Sequence, residues 1–164
     1  MKKVVASIAL AGMLIGGGAT GLVHASTPDQ PQEMANVNTQ FKSKVIVDDN
    51  FTTSQASIFT PLLGYGSAYI GNETLLLQNG GSAASKNLEL KYGKTYRITL
   101  KKVEGDVLLS ANWPDGIENV GWWDRDNHGH DITHYFVAKA SNVKFGLTGH
   151  PDASLRGFIL EEIN

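Results

Sequence analysis

From residue 43 onward the chain never sustains the apolar spacing of an amphipathic helix. Its apolar residues come in short runs separated by Gly, Asn and Asp, and the clearest run has a period of two. In Thr95-Tyr-Arg-Ile-Thr-Leu100, the positions Tyr96, Ile98 and Leu100 fall on one side of an extended backbone and Arg97 and Thr99 on the other. Strands are expected at Lys44–Asp48, Ser67–Ile70, Thr74–Gln78, Leu88–Leu90, Thr95–Leu100, Val107–Ala111, His134–Ala138, Val143–Leu147 and Leu155–Ile163. Turns are expected at Tyr92-Gly-Lys94, Glu104-Gly-Asp106 and His150-Pro-Asp152, and Gly146 is expected to mark a bulge. Short strands at such spacing build an antiparallel sandwich or barrel. The fold class is therefore all-β, with an antiparallel β-sandwich expected. Asn112–Ile132 reads as the one long irregular segment, and in a compact domain such a loop is usually functional.

The first 25 residues stand apart. Lys2 and Lys3 precede an apolar run rich in Ala and Gly, which ends at Val23-His-Ala25. That three-part pattern is a secretory signal peptide, so residues 1–25 are expected to be removed. Residues 26–42 are polar, hold two prolines and read as a flexible leader. Residues 43–164 are the β-sandwich domain, with no stable membrane span expected after cleavage. The expected location is secreted or extracellular, or periplasmic if the host has an outer membrane. The short basic start and the absence of cysteine suit a bacterial exported protein.

Composition narrows the partners. Residues 1–25 carry Lys2 and Lys3 and no acid, so without them the 14 basic residues fall to 12 against 16 acidic ones, a net of −4. A nucleic-acid partner is not expected, because phosphate binding needs a basic surface. No cysteine is present, which removes disulfides and thiol nucleophiles alike. There is no G-x-S-x-G elbow. Asp124 and Asp126 could act as a carboxylate pair, but a chain this small has little room for a cleft. No catalytic residue is assigned, and the chain leans away from being an enzyme.

Gly121-Trp-Trp-Asp-Arg-Asp-Asn-His-Gly-His-Asp-Ile-Thr-His-Tyr-Phe136 concentrates the chemistry. Trp122 and Trp123 are adjacent, so an extended backbone sends them to opposite sides. A tryptophan ringed by Asp124, Asp126 and Asn127 presents an apolar face with a polar rim, and Trp113 could add a second wall. A sugar has one apolar C–H face and a rim of hydroxyls, so it fits such a surface. Tyr65 and Tyr69 could contribute from another loop. The competing reading is that these large aromatics plug the end of the core.

Metal chemistry is the alternative. His128, His130 and His134 supply imidazoles for zinc or copper, with Asp131 beside them. Asp124-Arg-Asp-Asn-His-Gly129 begins like a calcium loop, but Tyr135 stands where the bidentate glutamate belongs. The bland reading is a solvated polar loop. A third class is a secreted structural, matrix or toxin-like interaction protein, whose mark would be an exposed apolar patch or a self-pairing edge strand.

Asn72-Glu-Thr-Leu-Leu-Leu-Gln-Asn-Gly80 and Lys86-Asn-Leu-Glu-Leu-Lys-Tyr-Gly-Lys-Thr-Tyr-Arg-Ile-Thr-Leu100 resemble the middle of jelly-roll carbohydrate-binding modules with a galactose-binding-like fold. Gly157–Ile163 resembles the closing strand of that family and Val47–Phe51 its polar opening strand. The resemblance implies a jelly roll and a carbohydrate or cell-surface glycan as ligand. It also implies a structural calcium joining first strand to last, at Asp48, Asp49 or Asn50 with Glu161 or Glu162. The expected function is thus a secreted non-catalytic binding module for a cell-wall or environmental glycan.

Overall fold

The computed structural model describes residues 42–64, 66–123 and 128–164, with backbone alone at Trp122, Trp123 and His128. The expected signal peptide and nearly all of the leader lie outside the described residues, as do Tyr65, Asp124, Asp126 and Asn127. No described helix is long and apolar enough to cross a membrane.

Eleven strands follow in chain order: β1 (Ser43–Asp49), β2 (Phe59–Pro61), β3 (Ser67–Gly71), β4 (Thr74–Gln78), β5 (Ser82–Ser85), β6 (Leu88–Glu89), β7 (Thr95–Trp113), β8 (Gly116–Trp123), β9 (His128–Val137), β10 (Asn142–Leu155) and β11 (Gly157–Ile163). All pairing is antiparallel. The hub is β7. Along one edge it pairs with β9 and then β8; along the other it pairs with β11 and then β10. Beyond this ribbon, β1 pairs β11, while β4, β5 and β6 pair β10, and β2 pairs β5.

The alternation read at Thr95–Leu100 continues for the whole of β7. Tyr96, Ile98, Leu100, Val103, Val107, Leu109, Ala111 and Trp113 are all buried, although the count from Leu100 to Val103 breaks the period of two. An extra residue there keeps the same face inward. Lys102 takes it up with φ 50°, and the ladder to β9 shifts at that point. The expected turn at Glu104-Gly-Asp106 is therefore no turn. It lies inside β7, with Gly105 at φ 77°. A Cβ on Gly105 would sit 2.3 Å from the Asp152 carbonyl oxygen. Gly105→Ala should cost about 2–4 kcal/mol in chemical denaturation, because a left-handed backbone and a backbone clash act together.

Bulges of this kind bend the sheet until its margins meet. β2 and β11 are far apart in strand order, yet the rings of Phe59 and Phe158 lie 5.1 Å apart, edge to face. The contacts continue from Phe158 to Phe145 at 5.7 Å, to Phe136 at 5.8 Å, and to Tyr96 at 5.7 Å. One antiparallel sheet thus curls around one core, in the jelly-roll-like sandwich expected from the sequence.

Three expectations need correction. In its described residues Asn112–Ile132 is not irregular: Trp113-Pro-Asp-Gly116 makes a two-residue hairpin turn, and Gly116–Trp123 and His128–Ile132 pair with β7 as parts of β8 and β9. His150-Pro-Asp152 is an irregularity inside β10. Gly146 pairs regularly with Ser110 and Ala84, so it marks no bulge.

Candidate functional site

Five strands, in the order β8-β7-β10-β5-β2, form one wall of the sandwich. On their core side Leu109, Ala111, Phe145, Leu147, Ala83 and Phe59 are buried. Alternation sends the residues between them outward. One outward rung runs Asn119, Ser110, Gly146, Ala84 and Thr60; another places Asn112 opposite Lys144. The floor of this face is therefore small and polar. A Cβ on Gly146 would stand 2.6 Å from Ser110 Oγ, so a larger residue there would make that hydroxyl turn away. The Ser82 and Thr148 hydroxyls hydrogen-bond each other at 2.9 Å.

At one end of the face lies a depression of about 410 Å³, lined by Asn87, Asn112, Trp113, Pro114, Asn142 and Lys144. No hydrogen bond or ion pair among the described residues engages the side chains of the three asparagines or of Lys144. Each Asn offers a carbonyl acceptor and two N–H donors. Four polar groups without a partner among the described residues thus edge one concavity beside a floor of small side chains. That arrangement suits a ligand rich in hydroxyls.

The tryptophans divide. Trp113 is 7% exposed, its ring tilted against Phe136 at 6.2 Å. Its Nε1 donates to Glu118 Oε2 at 3.1 Å. The hydrogen bond from Lys139 holds the Glu118 carboxyl below its ordinary value, and the Trp113 N–H adds to this. Trp113 is therefore mainly a core residue that locks the hairpin turn, and it also lines the depression. In the ladder Trp122 stands opposite Leu108, and Trp123 opposite the buried Val107. The rung through Trp122 and Leu108 continues to Thr148 and Ser82 on the same five strands.

A second depression, of about 440 Å³, lies elsewhere on the sheet and is lined by Thr95, Arg97, Tyr135, Ile163 and Asn164. Tyr135 is half exposed there. Its one cationic side chain is already committed. Arg97 donates from Nε at 2.8 Å and pairs through Nη2 at 2.7 Å with Glu161 Oε2, while Ser43 Oγ donates to Oε1 at 2.9 Å. Hydrogen bonding to Tyr135 and then to Glu161 raises the Arg97 guanidinium above its ordinary value. A self-satisfied cluster offers a ligand less than a free one, so the asparagine-lined depression is the stronger candidate.

Among the described residues, the carboxylates expected to hold a metal have other partners. Asp49 is buried and saturated. Its Oδ1 accepts from Phe51 N at 2.9 Å, and its Oδ2 from Ser57 Oγ at 2.6 Å and Ile58 N at 2.8 Å. Asp48 lies 3.7 Å from Lys101 Nζ, Glu161 is held by Arg97, and Glu162 pairs with Lys91 at 2.9 Å. Asp48 is opposite Ile159 and Glu161 opposite Val45, so the pairing separates them along β1. His130 and His134 belong to β9, four residues apart, which on a strand is about 13 Å. Asp131 alternates to the other face and accepts from the Lys102 amide at 3.1 Å. Among the described residues no three His, Asp or Glu side chains converge.

No family model matches this sequence, and no curated protein matches it. Solved structures do. The CBM22-1 xylan-binding domain from Paenibacillus barcinonensis Xyn10C matches at TM-score 0.54 and 11% identity, over 74% of this chain and 96% of that one. BiXyn10A CBM1 in its apo form matches at TM-score 0.56 and 14% identity, over 71% and 97%. A CBM29-2 module complexed with cellulohexaose matches at TM-score 0.52 and 12% identity, over 76% and 93%. The chain shares the fold of these carbohydrate-binding modules, in line with the resemblance read from Asn72–Leu100.

Proposed function

We propose that this protein is a non-catalytic carbohydrate-binding module that takes its glycan on the outer face of β8-β7-β10-β5-β2. One observation carries the reading: Asn87, Asn112, Asn142 and Lys144 line a single depression, and none of them has a partner among the described residues. Sugar hydroxyls donate and accept, as asparagine amides do. We assign the aromatic platform to Trp122, on the rung that continues through Leu108, Thr148 and Ser82. Asp124, Asp126 and Asn127 follow it in the chain and would supply the rim. The neighbours of like fold, one described as a xylan-binding domain and one complexed with cellulohexaose, support a polysaccharide ligand. The basic start and apolar run of residues 1–25 support export, with an extracellular glycan as target.

The test is retention of the protein on insoluble polysaccharides and purified cell walls, with and without EDTA. Retention should fall at least about tenfold in Asn112→Ala, since losing a hydrogen-bonding partner leaves ligand groups unpaired. Loss of retention in EDTA would add a metal ion to the reading. No retention on any glycan would sink it.

A further inference from the structure

Several cations elsewhere on this domain have carboxylate partners. Lys91 pairs with Glu162, Arg97 with Glu161, Lys101 with Asp48, Lys102 with Asp131 and Lys139 with Glu118. Lys144, in the asparagine-lined depression, has none among the described residues. No Asp or Glu lines the depression either. Lys86, the exposed residue immediately before the lining Asn87, is likewise without an ion pair among the described residues. The lining of the depression thus carries one cation and no carboxylate, on a chain of net negative charge.

The chemistry of the lining defines what would complete it. Lys144 stands directly opposite Asn112 in the β7–β10 ladder, which puts an ammonium and an amide side by side on one outward rung. An ammonium donates charge-assisted hydrogen bonds to a carboxylate, and the amide N–H groups add neutral ones. The amide carbonyls remain for hydroxyl donors. A ring carrying one carboxylate among several hydroxyls uses all of these groups. A neutral ring leaves the ammonium without a counter-charge. A polyphosphate backbone asks for a cationic stripe, and this depression holds one lining cation.

We infer that the ligand is an acidic glycan, its uronate carboxylate held by Lys144 between Asn112 and Asn142. This rests on the carbohydrate reading above and specifies the class of sugar.

The experiment measures affinity for polygalacturonate, alginate and hyaluronan, each beside its carboxyl-reduced, neutral form. The protein is compared with Lys144→Gln and with Lys94→Gln, which removes an exposed, unpaired lysine elsewhere. Melting temperatures check that the variants are folded. At low salt at least one acidic polymer should bind about tenfold more tightly than its reduced form, and the preference should shrink as salt is raised. Lys144→Gln should abolish the preference and Lys94→Gln should keep it. Equal binding of acidic and reduced forms overturns the inference and leaves the carbohydrate reading standing. Binding of neutral glycans alone does the same. An acid preference that survives Lys144→Gln overturns the assignment to this depression. Failure to bind any glycan, acidic or neutral, overturns both.

Discussion

Replacing Phe158 by alanine is expected to destabilise the domain by about 3–5 kcal/mol. Phe158 is fully buried on β11, near one margin of the curled sheet. Its ring meets Phe59 of β2 at 5.1 Å and Phe145 of β10 at 5.7 Å. Removing it takes away the apolar surface that closes the sheet on itself, and it leaves a cavity that the strands on both sides cannot collapse into. Urea denaturation measures the loss directly. Small domains hold only about 5–15 kcal/mol in total, so the variant should unfold at markedly lower denaturant. A cost under about 1 kcal/mol would mean that the margins do not meet through this ring.

Asp49→Ala is expected to cost about 3 kcal/mol, from the loss of three hydrogen bonds to one buried carboxylate. The carboxylate turns the chain between β1 and β2. Phe51 has φ 53° and a fully buried ring, and its amide is held by Oδ1. Oδ2 holds Ser57 and the Ile58 amide, which brings Phe59 into the core. Alanine leaves these donors unmatched and loosens two core aromatics together. The same variant separates this role from the calcium role expected at Asp48, Asp49 and Glu161. If Asp49 is a hydrogen-bond hub, the melting temperature drops equally with calcium or EDTA. A calcium-dependent melting temperature that Asp49→Ala abolishes would return Asp49 to the ligand role.

Much of the fold was legible from residue alternation. Thr74–Gln78 is a strand with the bounds expected, and β3 and β11 differ from expectation by one or two residues. What alternation misses is continuity. Thr95–Leu100 and Val107–Ala111 read as two strands, because Gly105 looks like a turn and the Lys102 bulge shifts the count by one. β8 and the first half of β9 were hidden for a different reason. Their Gly, Asn, Asp and His content has poor strand propensity, and pairing with the long β7 overrides it. The signal was present at Trp113-Pro-Asp-Gly116, where Pro-Asp-Gly between two extended runs specifies a tight turn.

The candidate site was legible in part. The tryptophan-rich segment does run along one edge of the polar wall. Asn87, Asn142 and Lys144 went unnoticed because they come from separate stretches of chain, and only strand pairing brings them to Asn112.

The most direct test of the central claim compares two faces of one domain. Glycan affinity is measured for Asn112→Ala/Asn142→Ala, on the five-strand wall, and for Tyr135→Ala, beside the Arg97–Glu161 pair. The account predicts that the asparagine variant, still folded, loses at least about tenfold in affinity while Tyr135→Ala binds as the parent does. Loss of binding in Tyr135→Ala with the asparagine variant unaffected would contradict it, and would place the ligand on the opposite wall.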